Sequence, residues 1–257
     1  MAGPGTPGTE SSRTESPRER YRSQVRAEVK ERAWEQMAEA GASALSLNAI
    51  AKQMGMSGPA LYRYFASRDD LITALIRDAY RGLADTVRLA YGTGEGEPAG
   101  SGAGSGGGPG ADASREAGRA SRGAEDATAP LARIAHALRG WALADPQRYF
   151  LVYGTPVPGY HAPEDITAIA DEIMRTLLDA CPAPPADRPA TPFETHLADH
   201  RQWAAGHPAP PAALRRALSF WTRLHGVLSL ELAGHFDGMG LDPDRLFAAE
   251  LDGLLAP

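Results

Sequence analysis

The chain has 257 residues, 43 % apolar and 23 % charged, with a formal net charge of −6 at neutral pH. That length suffices for one large or two small domains with a buried core. A single cysteine, Cys181, excludes an internal disulfide framework and suits a reducing compartment; residues 1–20 hold no apolar stretch of the secretory kind, and no run approaches the roughly 18 apolar residues of a membrane span. The expectation is a cytoplasmic protein with no membrane partner.

Charge is unevenly spread. Between Arg18 and Tyr91 twelve basic residues face nine acidic ones, a surplus of +3, which leaves −9 for the rest. A basic module on an acidic body is the asymmetry expected when one end meets phosphate.

Residues 1–19 read as a disordered arm, too poor in apolar surface to offset the entropy of ordering. A helical pattern begins near Arg20, where Val25, Val29, Ala33, Met37 and Ala40 recur at spacings of four and three, and Gly41 ends it. Ser46 then caps a short helix whose inward face is Leu47, Ile50, Ala51 and Met54. Gly55 stands where the chain reverses and takes positive φ without steric cost. Ser57 is expected to cap the next helix, with Pro59 in its first turn; Leu61 and Phe65 pin it to a core, leaving Tyr62, Arg63 and Tyr64 to project outwards. Ser67-Arg68-Asp69-Asp70 has the form of a capping box, with Asp in place of Glu, opening a long helix to about residue 90.

Residues 91–129 change character, with ten glycines between Gly92 and Gly110, and read as a flexible linker. Pro130 is expected to open a second helical region (130–257). Leu131, Ile134, Ala135, Leu138 and Trp141 share a face there, and further helices follow at Pro146 to Gly154, Pro163 to Cys181, 212–235 and 243–255. With no alternating strand pattern and no internal repeat, the fold class is all-α.

Two short helices joined by a Gly-containing turn match a helix-turn-helix. The strings Ile50-Ala51, Gly55-Met56-Ser57, Leu61-Tyr62-Arg63-Tyr64-Phe65 and Arg68-Asp69-Asp70-Leu71 resemble the TetR/AcrR family of regulators, which usually carries Lys at the place of Arg68. Trp221-Thr-Arg-Leu-His225-Gly226 with Ser229-Leu-Glu231-Leu is similar to the WHG type of C-terminal domain in that family, a match strengthened by Gly140-Trp141-Ala142-Leu143 and Gly154-Thr155-Pro156.

The resemblance implies a three-helix DNA-binding head followed by a helical ligand-binding and dimerisation domain. Ser57, Gly58, Pro59, Ala60 and Arg63 would face base edges or the adjoining backbone, with Arg63 the guanine reader, while Ser46, Tyr62, Tyr64 and Arg68 would hold phosphates. Arg18, Arg20 and Arg22 would reach a neighbouring groove. The implied partners are double-stranded operator DNA, a second copy of the chain and a small-molecule effector. The implied function is a repressor released by that effector, with an activator or an effector-independent regulator as the alternative.

Other readings stay open at this level. Tyr62 and Tyr64 are also plausible as plain helix-surface aromatics. Trp141, Tyr149, Tyr153, Trp221 and His225 are candidates for an effector pocket, or His225 is a satisfied core histidine. Leu224, Leu228, Leu232 and Leu246 are candidates for a dimer interface, or simply intrachain core. His196 and His200 have the i, i+4 spacing of some zinc sites but lack the accompanying Glu, so a solvated face is the better reading. Neither metal nor cofactor is called for. His161, His207 and His235 join no nucleophile–base pair, metal triad or phosphate loop, so an enzyme is not expected, and Cys181 reads as inert.

Overall fold

The computed structural model describes residues 16–93, 112–155, 163–182 and 188–256, and among these every regular element is helical. The first helix, α1, spans Pro17–Ala40. Its start is fixed by a capping box: Ser16 Oγ accepts from the Glu19 N–H, and the Glu19 carboxylate accepts from the Ser16 N–H. Its end is Gly41, at φ 78°. Two short helices follow, α2 (Leu47–Gln53) and α3 (Gly58–Leu61), then the long α4 (Arg68–Gly92). Beyond it come α5 (Asp112–Ala144), α6 (Pro146–Tyr153), α7 (Glu164–Asp179), α8 (Pro192–Asp199), α9 (Pro211–Leu232) and α10 (Pro243–Leu255).

The chain divides into two compact units between Ala74 and Leu75, inside α4. In the first unit, Val25, Val29, Ala33 and Met37 of α1 are buried together with Leu47, Ile50, Ala51, Leu61, Phe65, Leu71 and Ile72. In the second, α9 is the central helix, packed against α5, α7, α8 and α10. Its Leu214, Phe220, Leu224 and Leu228 share a core with Leu83, Leu131, Leu138, Tyr149, Ile173 and Phe247.

The polar interior of the second unit is built around carboxylates. Glu194 is 1 % exposed. The Thr191 N–H and then the Arg188 guanidinium, with Arg215 beside it, hold its carboxyl down at about 2. Arg139 reaches Glu231 at 2.6 Å and Asp244 at 2.5 Å, tying α5 to α9 and α10.

Two helix C-termini are stabilised from outside. No basic residue occupies the last turn of α4 or α10, where a positive charge would meet the negative end of the helix dipole. Arginines from other helices supply it. Arg133 of α5 donates to Ala90 O at 2.9 Å and Tyr91 O at 3.2 Å, and Arg216 of α9 reaches the carbonyls of Leu254, Leu255 and Ala256.

Three expectations need correction. Of the segment 91–129 expected as a flexible linker, α4 takes the start, continuing to Gly92, and α5 takes the end, beginning at Asp112 with Pro130 inside it; residues 94–111 lie outside the described residues. Residues 123–129 are dominated by Ala, Glu, Asp and Thr, and helix propagation carries past Pro130 at the loss of a single N–H donor. Pro17–Glu19, expected in the N-terminal arm, already form the first turn of α1, whereas residues 1–15 lie outside the described residues, as do 156–162. Finally, Leu224 and Leu228 are fully buried in the chain's own core, so they are not available to a second subunit; Leu232 and Leu246 are only half-buried. Helix α8 adds an element beyond those expected, and Thr191 and Glu194 form a complete capping box at its start.

Candidate nucleic-acid interface

The segment expected to read DNA, hereafter the reading segment, runs from Ser57 to Phe65. Gly55 takes φ 65° and turns the chain out of α2, and Ser57, in extended conformation, stands at the N-cap of α3 without a capping bond from its side chain. Regular helix lasts only to Leu61. Tyr62, Arg63 and Tyr64 continue as turns, held by Tyr62 N–H on Gly58 O (3.1 Å) and Tyr64 N–H on Leu61 O (2.8 Å). Leu61 and Phe65 are both fully buried, which fixes the segment from below. Ser57, Pro59, Tyr62 and Arg63 are exposed, Tyr62 at 45 %, while Gly58, Ala60 and Tyr64 are half-buried. Gly58 has a local reason to be small: a Cβ there would come within 3.2 Å of Asn48 Oδ1 on α2.

Ser46 is held by two bonds. Its N–H donates to Gln36 Oε1 at 3.1 Å, and its Oγ accepts from the Ala49 N–H, which leaves the hydroxyl proton free to donate outwards. Arg68, expected to hold phosphate, is instead committed inwards. Its Nη2 donates to Ala42 O at 2.8 Å and its Nε to Leu45 O at 3.2 Å, so it braces the turn between α1 and α2. The cap before α4 departs from the reciprocal form. Ser67 Oγ accepts from the Asp70 N–H, but the shorter Asp70 carboxylate accepts from the Ala66 N–H, one residue further out.

Beside the reading segment lies a groove of about 440 Å³, lined by Arg18, Tyr21 and Arg22 of α1 and by Ala60, Arg63 and Tyr64. Arg18 and Arg63 have no carboxylate partner among the described residues, and the Glu19 carboxylate in the same wall is turned to its Ser16 cap. The groove is therefore positively charged. Arg22 Nη2 donates to Arg63 O at 3.3 Å, Arg26 donates to Tyr64 O, and the Arg26 guanidinium carbon stands 4.1 Å over the Phe65 ring. Nothing in the local sequence pattern signals these links, which join positions 41 and 38 residues apart.

In the second unit, the rings of Tyr149, Tyr153, Trp221 and His225 form one cluster with centroids 4.2–5.9 Å apart, and Tyr80 meets Tyr153 at 6.1 Å. The Tyr149 hydroxyl lies 3.0 Å from His225 Nδ1 and 2.8 Å from Ser229 Oγ. Burial lowers His225 to about 4, so the ring is neutral, and burial pushes the Tyr153 phenol well up. Among the described residues, His225 Nε2 and Tyr153 Oη are both buried without a hydrogen-bond partner. Trp141 packs on the same core without joining these rings. Tyr80 and Ser229 fall outside the expected set; their spacing from Tyr149 carries no helical signal. His196 and His200 stack at 4.1 Å, with His200 Nδ1–H donating to His196 O, and Cys181 is raised to about 11 by burial. Among the described residues no helix is long and apolar enough to cross a membrane.

Known proteins agree with this geometry. Residues 31–75 match the family described as "Bacterial regulatory proteins, tetR family", and residues 131–254 match "Tetracyclin repressor-like, C-terminal domain". The HTH-type transcriptional regulator Rv1816 of Mycobacterium tuberculosis is 35 % identical over 245 residues, covering 91 % of this chain and 92 % of its own. The HTH-type transcriptional regulator Mb1846 of Mycobacterium bovis matches to the same extent. The crystal structure of the protein SCO4313 is 58 % identical, with a TM-score of 0.75 over 94 % of this chain and 100 % of that one. The TetR family regulator PfmR of Thermus thermophilus shares the fold at 15 % identity, with a TM-score of 0.51 over 88 % of this chain and 96 % of that one. A helix-turn-helix with an exposed, positively charged reading segment, an all-helical body and relatives matched along nearly their whole length lead to one assignment: the chain belongs to the TetR family of transcriptional regulators.

Proposed function

We propose that the protein is a homodimeric repressor that reads an operator with the Ser57–Phe65 segment and is released from it by a small molecule held in the second unit. The observation that carries the reading is Arg63. It is exposed and, among the described residues, without a carboxylate partner, on a segment whose next buried anchors, Leu61 and Phe65, are fixed in the core. A guanidinium so placed suits the bidentate acceptor pair of guanine in the major groove. Ser57, Gly58, Pro59 and Ala60 bring backbone close to the base edges. Ser46, Tyr62 and Tyr64 donate to phosphates, and the arginines of the α1 groove add sequence-independent attraction. Arg68 supports them from behind.

Palindromic operators need two heads about 34–36 Å apart, which a two-fold dimer supplies. The outward faces of α9 and α10 suit that contact: Gly226 and Leu230 are exposed, Leu232 and Leu246 are half-buried, and Gly226 has open space where a Cβ would stand. The effector reading rests on the ring cluster, whose neutral His225 and unpartnered Tyr153 hydroxyl offer hydrogen bonds to a ligand inside an apolar wall. Because the boundary between the units falls inside α4, a ligand that favours one position of this helix shifts the population of DNA-competent conformers. A cytoplasmic location accords with this role.

Selection of tight-binding duplexes from a random pool, followed by footprinting across a salt series, tests the DNA reading. A salt-sensitive preference for one palindromic sequence is expected, and equal binding to every duplex would refute it. Sedimentation of the free protein tests the dimer, and release of the selected duplex by an extract of small metabolites tests the effector.

A further inference from the structure

The first turns of α1 lie outside the family match at 31–75, yet they hold the far end of the reading segment. We propose that Arg26, assisted by Arg22, is a positioning residue for sequence reading: it grips the last turn of that segment by its carbonyl groups and so fixes where Arg63 and Tyr64 point. The inference rests on the DNA-reading function proposed above.

Helix α3 has four residues and ends without a glycine C-cap or a basic residue in its last turn; the amides of Tyr62 to Phe65 fold back onto the carbonyls of Gly58, Ala60 and Leu61. The turn beyond Leu61 is thus held by its own amides, the Arg63 N–H reaching Ala60 O at a long 3.4 Å, and the carbonyls of Arg63 and Tyr64 at its end are the ones met by α1. Arg22 closes on Arg63 O and Arg26 on Tyr64 O, the carbonyl groups of the two side chains assigned to base and phosphate. Arg26 is itself fixed twice. Its guanidinium stands over the face of the Phe65 ring, and its helix is anchored by Val25 and Val29, both buried.

The chemistry favours arginine. A planar fork can stack on a ring while donating in its own plane, whereas an ammonium is a point donor. Bonding to carbonyls rather than carboxylates also leaves the full positive charge beside the DNA surface. The competing role for Arg26 is a direct phosphate contact, and the two roles predict different measurements.

The test uses the full chain with R26A and R26K. In free protein, amide hydrogen exchange at Tyr64 and Phe65, both bonded to Leu61 O, is expected to speed up at least roughly tenfold in R26A, with the α2 amides unchanged. R26K, which keeps the charge but loses the fork, should fall between R26A and wild type, and it carries the test should R26A fail to fold. On DNA, the ratio of affinity for the selected duplex over a mixed-sequence duplex should drop about tenfold in R26A. The slope of log affinity against log salt should stay that of the wild type, because no phosphate contact is lost. Unchanged exchange at Tyr64 and Phe65 overturns the proposal. So does an equal loss on both duplexes with a slope shallower by about 0.9, which marks Arg26 as a phosphate ligand. If the wild-type protein has no sequence preference, the DNA reading falls while the exchange data still decide the clamp.

Discussion

The two units use arginine differently. In the head, Arg22, Arg26 and Arg68 donate to backbone carbonyls; the bonds of Arg22 and Arg26 leave their positive charges standing, while Arg68 also lies 3.9 Å from the Asp69 carboxylate. In the body, arginines mostly meet carboxylates across helices: Arg77 with Asp165, Arg81 with Glu172, Arg139 with Glu231, Arg215 with Glu194 and Arg223 with Glu250. A carboxylate partner cancels the charge that a carbonyl partner keeps. The same side chain therefore leaves positive charge on the surface of the head and ties helices together by ion pairs in the body, with carbonyl caps such as Arg133 and Arg216 as the body's minority use.

Substitutions separate these two modes. The largest effect is expected for Phe65→Ala, which removes a fully buried ring under the reading segment and costs about 3–5 kcal/mol. A denaturant melt should show the head unfolding early and the body's transition unmoved. Glu231→Gln should cost the body about 2 kcal/mol, because Arg139, only 14 % exposed, loses its buried charged partner and keeps only the exposed Asp244 carboxylate at 2.5 Å. A body melt unchanged by it would break the contrast. Arg63→Ala leaves both melts in place and should cost about 1–3 kcal/mol of discrimination between operator and random duplex, measured by competition binding.

Acid should act on the body. Glu194 is held at about 2 in the folded chain, below the ordinary ~4.3 of the unfolded one. Its stabilisation is thus complete above about pH 4.3 and is lost as pH falls towards 2. Glu194→Gln should flatten that limb of the body's acid unfolding curve, followed by circular dichroism, and leave the head's curve alone. Least affected should be Arg81→Ala, which breaks an exposed, solvent-screened pair with Glu172 and should leave the body's melt almost in place.

The head was legible in the sequence because its signals are local. Ser46, Gly55, Pro59 and the Leu61/Phe65 spacing each act within one turn of chain, and each sits where the pattern put it. The body was legible only as helices. Periodicity tells that Leu224 and Leu228 face something apolar, not whether that is their own chain or a copy, and packing against α5 and α10 decided it. Arg68 and Arg26 were opaque for the same reason: what a long side chain donates to depends on which carbonyls tertiary structure brings within reach. The start of α5 was hidden by the neighbouring glycines and by Pro130, which has the look of an opening residue but lies within a helix.

The interruption between α4 and α5 lies wholly within the body, and Arg133 already pins the end of α4 to α5 on its far side. Because Arg133 holds the end of α4 to α5 directly, the pairing of these two helices does not depend on the length of chain that joins Thr93 to Asp112. A reporter domain or a protease recognition sequence inserted between Thr93 and Asp112 is therefore expected to leave the α4–α5 contact in place, read as an unmoved melt of the body.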